Sequence, residues 1–243
     1  MTTEQKAQVL SKARDLWEVI LKKHVANTEK LRRLNDFQWN PFTIKYLPNY
    51  AYGDASSRNI AKTLVYARVL SQSINTSLGL HFQNFCNEVI KILTPSGGGS
   101  LISGIDIEFI DHIDHRKKYC QLKSGPNCIN RDDIETIIDH FTEIKNRARI
   151  NNVKSFNPST DCVVGVIYGT NKILNSSYKK LEKEFPVYVG KELWQRLTGD
   201  EKFYDELIDV SAQVAINSDT THIVEKAIES VAQDIEKNWS DLL

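Results

Sequence analysis

Three side chains in two short stretches carry chemistry. Asp106 lies in GIDIEF, and Gln121 and Lys123 lie in YCQLKSGPN. Residues 101–110 (LISGIDIEFI) alternate apolar and polar in their second half, which predicts a strand with Asp106 in its middle. DHIDHRKK reads as a polar turn, and residues 119–123 return as a second strand. Side chains alternate along a strand, so Gln121 and Lys123 share a face. If the strands pair as a hairpin, Asp106 meets them at one end of the sheet, and the Leu122 carbonyl can point to the same spot.

An acid, an amide oxygen and an ammonium gathered in this way suit phosphodiester hydrolysis. Asp106, Gln121 and the Leu122 carbonyl are candidate ligands for Mg²⁺, which takes oxygen ligands at about 2.0–2.1 Å and keeps several waters. The metal lowers the pKa of a bound water and neutralises charge growing on the phosphate. Lys123 orients that water and stabilises the phosphorane. Gln121 brings no charge, so the set is one carboxylate short. Glu108 on the strand face of Asp106, or Glu88 on the preceding helix, can supply it. Glu88 is preferred because a helix-borne acid can reach over a hairpin.

The elements around these strands form an α/β pattern. Val9, Ala13, Leu16 and Ile20 recur at helical spacing, and Ser56 or Ser57 can cap a second helix holding Ile60, Leu64 and Val65. Residues 35–55, with Pro41 and Pro48, read as an irregular packed connection. A third helix covers residues 78–93, up to the glycine run Gly97-Gly98-Gly99. After the hairpin, Asn130 or Asp132 opens a helix with Ile137, Phe141 and Ile144 on one face. Residues 161–168 (DCVVGVIY) are apolar enough for a central strand buried on both faces, and residues 186–189 predict another. Val224, Ile228, Val231, Ile235 and Trp239 close the chain at helical spacing. The expected fold is a mixed central sheet flanked by helices, with helical amino- and carboxy-terminal additions. Two regions follow: residues 1–77, helical and suited to dimerisation or clamping DNA, and residues 78–243, the catalytic core with its terminal helices.

Composition excludes several classes. The 243 residues carry 31 Lys plus Arg against 31 Asp plus Glu, so overall charge does not hold the protein to nucleic acid. No apolar run approaches the roughly 20 residues that span a bilayer. The polar start MTTEQKAQVLSKARD lacks a signal-peptide core, so a cytoplasmic protein with no membrane partner is expected. The four cysteines are scattered and read as reduced core thiols. His112, His115 and Cys120 lack an evident fourth ligand for zinc. Ser124, Asn127, Asn130 and Arg131 follow the second strand and are candidate DNA contacts, although Gly, Pro and Asn are also ordinary turn formers. Basic clusters at residues 22–23, 32–33, 116–118, 145–149 and 179–180 are candidates for a DNA cleft.

The D…(D/E)xK arrangement resembles the PD-(D/E)xK nuclease superfamily. GIDIEF, CQLKSGPN, the following NRDDIETIIDHF and the later VYVGKELWQRLTGDEKFYDEL look like type II restriction endonucleases. The likeness covers roughly residues 88–207 and is greatest to the group cutting GGNCC-like interrupted palindromes. It implies that Asp106 is the metal-binding acid and Lys123 the lysine of the motif. Gln121 stands where the family usually has Asp or Glu, and Ile105 where it often has proline. The resemblance further implies double-stranded DNA as substrate, Mg²⁺ as cofactor, a homodimer on a palindromic site and a companion DNA methyltransferase. A structure-selective repair or junction nuclease of the same fold is the alternative enzyme. A DNA-binding protein that lost catalysis with the acid at position 121 is the non-enzymatic one. In that last case Gln121→Glu restores cutting if charge is the only defect. Asp and xxK alone also describe a solvated surface ion pair; their placement on two strands before a helix and a buried strand argues for the site.

Overall fold

The computed structural model describes residues 1–94, 100 and 102–239. Gly97, Gly98, Gly99 and Leu101, expected at the boundary and at the start of the first strand, lie outside the described residues. Helices α1 (Thr3–Thr28), α2 (Tyr46–Tyr52), α3 (Ser57–Ala67) and α4 (Ser73–Leu93) precede strands β1 (Ile107–Ile110) and β2 (Lys117–Lys123). Then follow α5 (Arg131–Ile150), α6 (Pro158–Asp161), β3 (Cys162–Val166), α7 (Ser176–Leu181), β4 (Val187–Val189), α8 (Lys191–Thr198), α9 (Phe203–Ile216) and α10 (Thr221–Asn238). The chain forms two compact units, Met1–Leu16 with Gly79–Ser211, and Trp17–Leu78 with Ala212–Leu243.

The first unit holds a four-stranded sheet of order β1-β2-β3-β4. β1 runs antiparallel to β2, and β2, β3 and β4 are parallel. The expected mixed sheet is therefore present, and every residue of β3 is buried. Cys162, Val164 and Val166 turn one face of β3 toward Ile137, Phe141 and Ile144 of α5. On the other face Gly165 meets Cys120, Leu122 and Leu193, so the absence of a side chain there lets α8 approach. Trp194 of α8 is fully buried, and its indole N–H donates to the Ile167 carbonyl at 2.9 Å. Truncating a side chain of that size in a closed core costs about 3–5 kcal/mol.

The second unit is helical. Ile60, Ala61 and Val65 of α3 and Ala227, Ile228, Val231 and Ile235 of α10 form one apolar cluster. Residues 35–55, expected to be irregular, contain α2, with Pro48 in its first turn. Proline is tolerated there because the first N–H groups of a helix have no intrahelical acceptor. No helix among the described residues is long and apolar enough to cross a membrane.

Cys86, Cys120 and Cys162 are buried as expected, whereas Cys128 is exposed. Its thiol bonds to the Gly125 carbonyl and the Tyr178 hydroxyl, local partners that replace burial.

Candidate active site

β1 begins one residue after Asp106 instead of carrying it mid-strand. Gly104 causes the delay. Its φ of +78° belongs to a turn in which the Ile105 N–H bonds the Ile102 carbonyl, so no straight strand runs through. Asp106 still reaches the ladder, donating its N–H to the Cys120 carbonyl at 3.0 Å.

The Asp106 carboxylate receives two neutral donors. Its Oδ2 accepts the Leu122 N–H at 2.6 Å, and its Oδ1 accepts the Gln83 side-chain amide at 2.7 Å. Burial pushes this carboxyl above its ordinary range, partly offset by the Leu122 N–H and by the charges of Lys123 and His140. The Cys120 carbonyl and the Leu122 N–H both face the β1 side of β2, so strand alternation puts the Leu122 carbonyl on that edge with Asp106. A carboxylate has about four lone-pair sites, so Asp106 keeps acceptor capacity beyond these two bonds.

Gln121 is buried at 5% exposure. Its Nε2 lies 2.6 Å from the Gly104 carbonyl and 2.6 Å from His140 Nδ1. Lys123 ends β2, at the carboxyl end of the parallel strands, where open α/β sheets commonly place ligands. Its carbonyl accepts the Ile167 N–H at 3.0 Å, which anchors the backbone. Among the described residues its ammonium has no carboxylate within salt-bridge distance. A half-buried lysine left in that state is available to a substrate.

Glu88 has no contact with this cluster among the described hydrogen bonds and ion pairs. It pairs with Lys91 at 2.8 Å and is half exposed. At 100° per residue it lies about 140° round α4 from Gln83, the residue that reaches Asp106. Glu108 is engaged by Lys117 at 2.7 Å and by the Ser100 hydroxyl at 2.5 Å. Among the described residues, Asp106 is thus the one carboxylate seated beside Gln121, Leu122 and Lys123. That donor set is entirely hard oxygen: one carboxylate, one amide oxygen and one carbonyl. Its chemistry fits Mg²⁺, which prefers oxygen and commonly binds through one or two carboxylates plus substrate phosphate.

The loop after β2 is pinned from α7 and the residue before it. The Gly125 carbonyl accepts the Tyr178 hydroxyl at 3.0 Å, the Pro126 carbonyl accepts the Asn175 N–H at 3.1 Å, and the Ile129 carbonyl accepts the Asn175 side-chain amide at 2.8 Å. A Cβ at Gly125 would collide with the Tyr168 hydroxyl. Ser124 is half-buried, while Asn127, Asn130 and Arg131 are exposed. Asn130 also caps α5, its Oδ1 accepting the Asp132 and Asp133 N–H groups at 2.8 and 3.1 Å, with Asp133 reciprocating. One basic cluster, Arg116-Lys117-Lys118, is spent internally. Arg116 binds Asp161, Lys117 binds Glu108, and Lys118 is fully buried against Asp114.

Gln83 and His140 escaped the sequence reading. His140 had a usable signal: it falls three residues after Ile137 and four before Ile144, beside the buried stripe of α5. Gln83 had none, because its contact depends on how α4 approaches β1.

The family model described as type II restriction endonuclease EcoO109I matches residues 18–219, more than four fifths of the chain and all of the site residues above. No curated protein matched the sequence closely enough to count as a relative.

Proposed function

The chain belongs to the type II restriction endonuclease EcoO109I family, and from that premise we propose that it cuts double-stranded DNA at one short specific sequence with Mg²⁺, through Asp106, Gln121, Leu122 and Lys123. DNA is the substrate that the family implies, and hydrolysis is its chemistry. The observation carrying the residue assignment is the junction of a half-buried, neutrally hydrogen-bonded Asp106 with a Lys123 that has no anionic partner among the described residues.

Asp106, the Gln121 Oε1 and the Leu122 carbonyl would hold the metal. When bound it supplies charge neutralisation on the phosphate and acidifies a water. Lys123 stands at the strand end, where its ammonium can orient the attacking water and donate to the phosphate oxygens as negative charge builds on them. In the balanced step the water oxygen bonds to phosphorus, one P–O ester bond breaks, and the departing oxygen leaves with a proton. Burial pushes the Asp106 carboxyl up, and the Leu122 N–H and the nearby Lys123 offset only part of that rise.

Ser124, Asn127, Asn130 and Arg131 are the candidate DNA contacts beside this centre. For Asn130 the Nδ2 is the available end, since its Oδ1 caps α5. A palindromic site of the GGNCC-like type calls for a homodimer with one centre per strand, and residues 1–77 are the candidate dimerisation or clamp region. A companion methyltransferase protecting the same sequence completes the system.

Digestion of unmethylated phage DNA with and without Mg²⁺, beside Lys123→Ala, tests the proposal. Discrete bands requiring both Mg²⁺ and Lys123 are expected, and their ends give the recognition sequence. A smear points to a structure-selective or unselective nuclease. DNA retarded on a gel yet intact at every Mg²⁺ concentration points to binding without catalysis.

A further inference from the structure

Gln121 looks like a lost acid only when its surroundings are ignored. The Gly104 carbonyl can only accept a hydrogen bond, so the nitrogen end of the Gln121 amide must face it. The second amide proton then serves His140 Nδ1, which is the lone-pair nitrogen of its ring, leaving the ring proton on Nε2. Two acceptors therefore converge on a group with two donors. Their mutual placement is tight as well. A Cβ at Gly104 would overlap the His140 ring, and the φ of +78° favours glycine in any case.

We infer that position 121 is built for a neutral amide and not for a carboxylate, and that His140 is the positioning residue which, with Gly104, holds Gln121 so that its Oε1 is the group it has left to offer. A glutamate there would set a carboxylate oxygen against a carbonyl oxygen and a nitrogen lone pair in a nearly closed pocket. Buried acceptors facing one another without a proton are costly. Glutamine is thus the matched residue here. The metal half of this inference rests on the nuclease reading above, whereas the amide clamp can be tested in metal-free protein.

Wild type, Gln121→Glu, His140→Ala and His140→Asn are to be compared by three readouts: the thermal midpoint without metal, the Mg²⁺ dissociation constant by calorimetry, and the Gln121 side-chain amide signals by NMR. In wild type those two protons should exchange slowly. Gln121→Glu should lower the metal-free midpoint and fail to tighten Mg²⁺ binding. His140→Ala should keep the fold and weaken Mg²⁺ binding about tenfold, the usual loss when a partner behind a ligand is removed. His140→Asn should recover most of that affinity, because its Oδ1 can accept the same N–H. A Gln121→Glu protein that keeps its midpoint and binds Mg²⁺ more tightly overturns the inference, as does an unchanged affinity in His140→Ala. If wild type neither binds Mg²⁺ nor cuts DNA, the nuclease reading fails, and slow or fast exchange of the Gln121 amide still decides the clamp.

Discussion

The β1–β2 hairpin carries an acid and a lysine at each of its ends. Asp106 and Lys123 mark one end; Asp111 and Lys118, each five residues away along the chain, mark the other. Spacing alone does not distinguish them, but their neighbours do. At the far end Asp111 and Lys118 are fully buried, and Asp111 binds Arg196 at 2.9 Å and the Ile113 N–H at 2.8 Å. Lys118 is held by Asp114 at 2.5 Å and the Thr160 carbonyl at 2.9 Å, and Arg196 stacks 4.1 Å above the Tyr188 ring. Every charge there has found its counterpart. At the near end Asp106 receives only neutral donors, and the Lys123 ammonium has no carboxylate partner among the described residues. One end spends its charges on holding the fold together; the other leaves them without charged partners, as the proposed catalytic role requires.

The largest expected effect lies at the near end. Lys123→Ala should reduce cleavage by about 10²–10³, the scale on which transition-state charge stabilisers act, with an unchanged thermal midpoint. Loss of folding together with activity would give this end the same structural role as the other. The far end should behave in the opposite way. Asp111→Ala breaks the buried Asp111–Arg196 pair and should cost about 3–5 kcal/mol in urea unfolding, while DNA cleavage per folded molecule is retained at low temperature.

A smaller contrast separates two residues of α4. Gln83→Ala removes a donor from Asp106 and should reduce metal affinity or cleavage about tenfold, whereas Glu88→Ala should leave both unchanged. Equal losses would return Glu88 to the site. The smallest effect is a pH dependence. Burial pushes Asp114 up, but the Lys118 ammonium and the Arg116 N–H more than reverse this and hold it below the ordinary carboxylate range. A depressed folded value stabilises the fold above the unfolded pKa of about 3.9, and the gain is lost as pH falls through the folded value. The difference in urea midpoint between wild type and Asp114→Asn should therefore be present at pH 7 and vanish in strong acid.

The sheet was readable because its strands obey short-range rules. Residues 119–123 alternate, residues 162–166 are apolar throughout, and Asn130 with Asp133 announces the start of α5. That the segment carrying Asp106 lies alongside the strand carrying Gln121 and Lys123 was readable from the hairpin pattern. What escaped lies in tertiary approach. Glu88 and Gln83 sit on one helix with no local sign of which faces β1, and a turn at Gly104 displaced Asp106 from mid-strand. The basic run 116–118 resembled a nucleic-acid surface because its pairing with Asp161, Glu108 and Asp114 depends on how the chain folds.

The loop between Lys123 and α5 carries one more consequence. Three of its carbonyls and one thiol are tied to Asn175 and Tyr178. Its conformational entropy is surrendered when the protein folds, before any ligand arrives. Whatever docks beside Lys123 meets a rigid template, so affinity is not diminished by ordering that segment. Loosening Asn175 or Tyr178 would transfer that cost to the binding step without removing a single contact to the ligand.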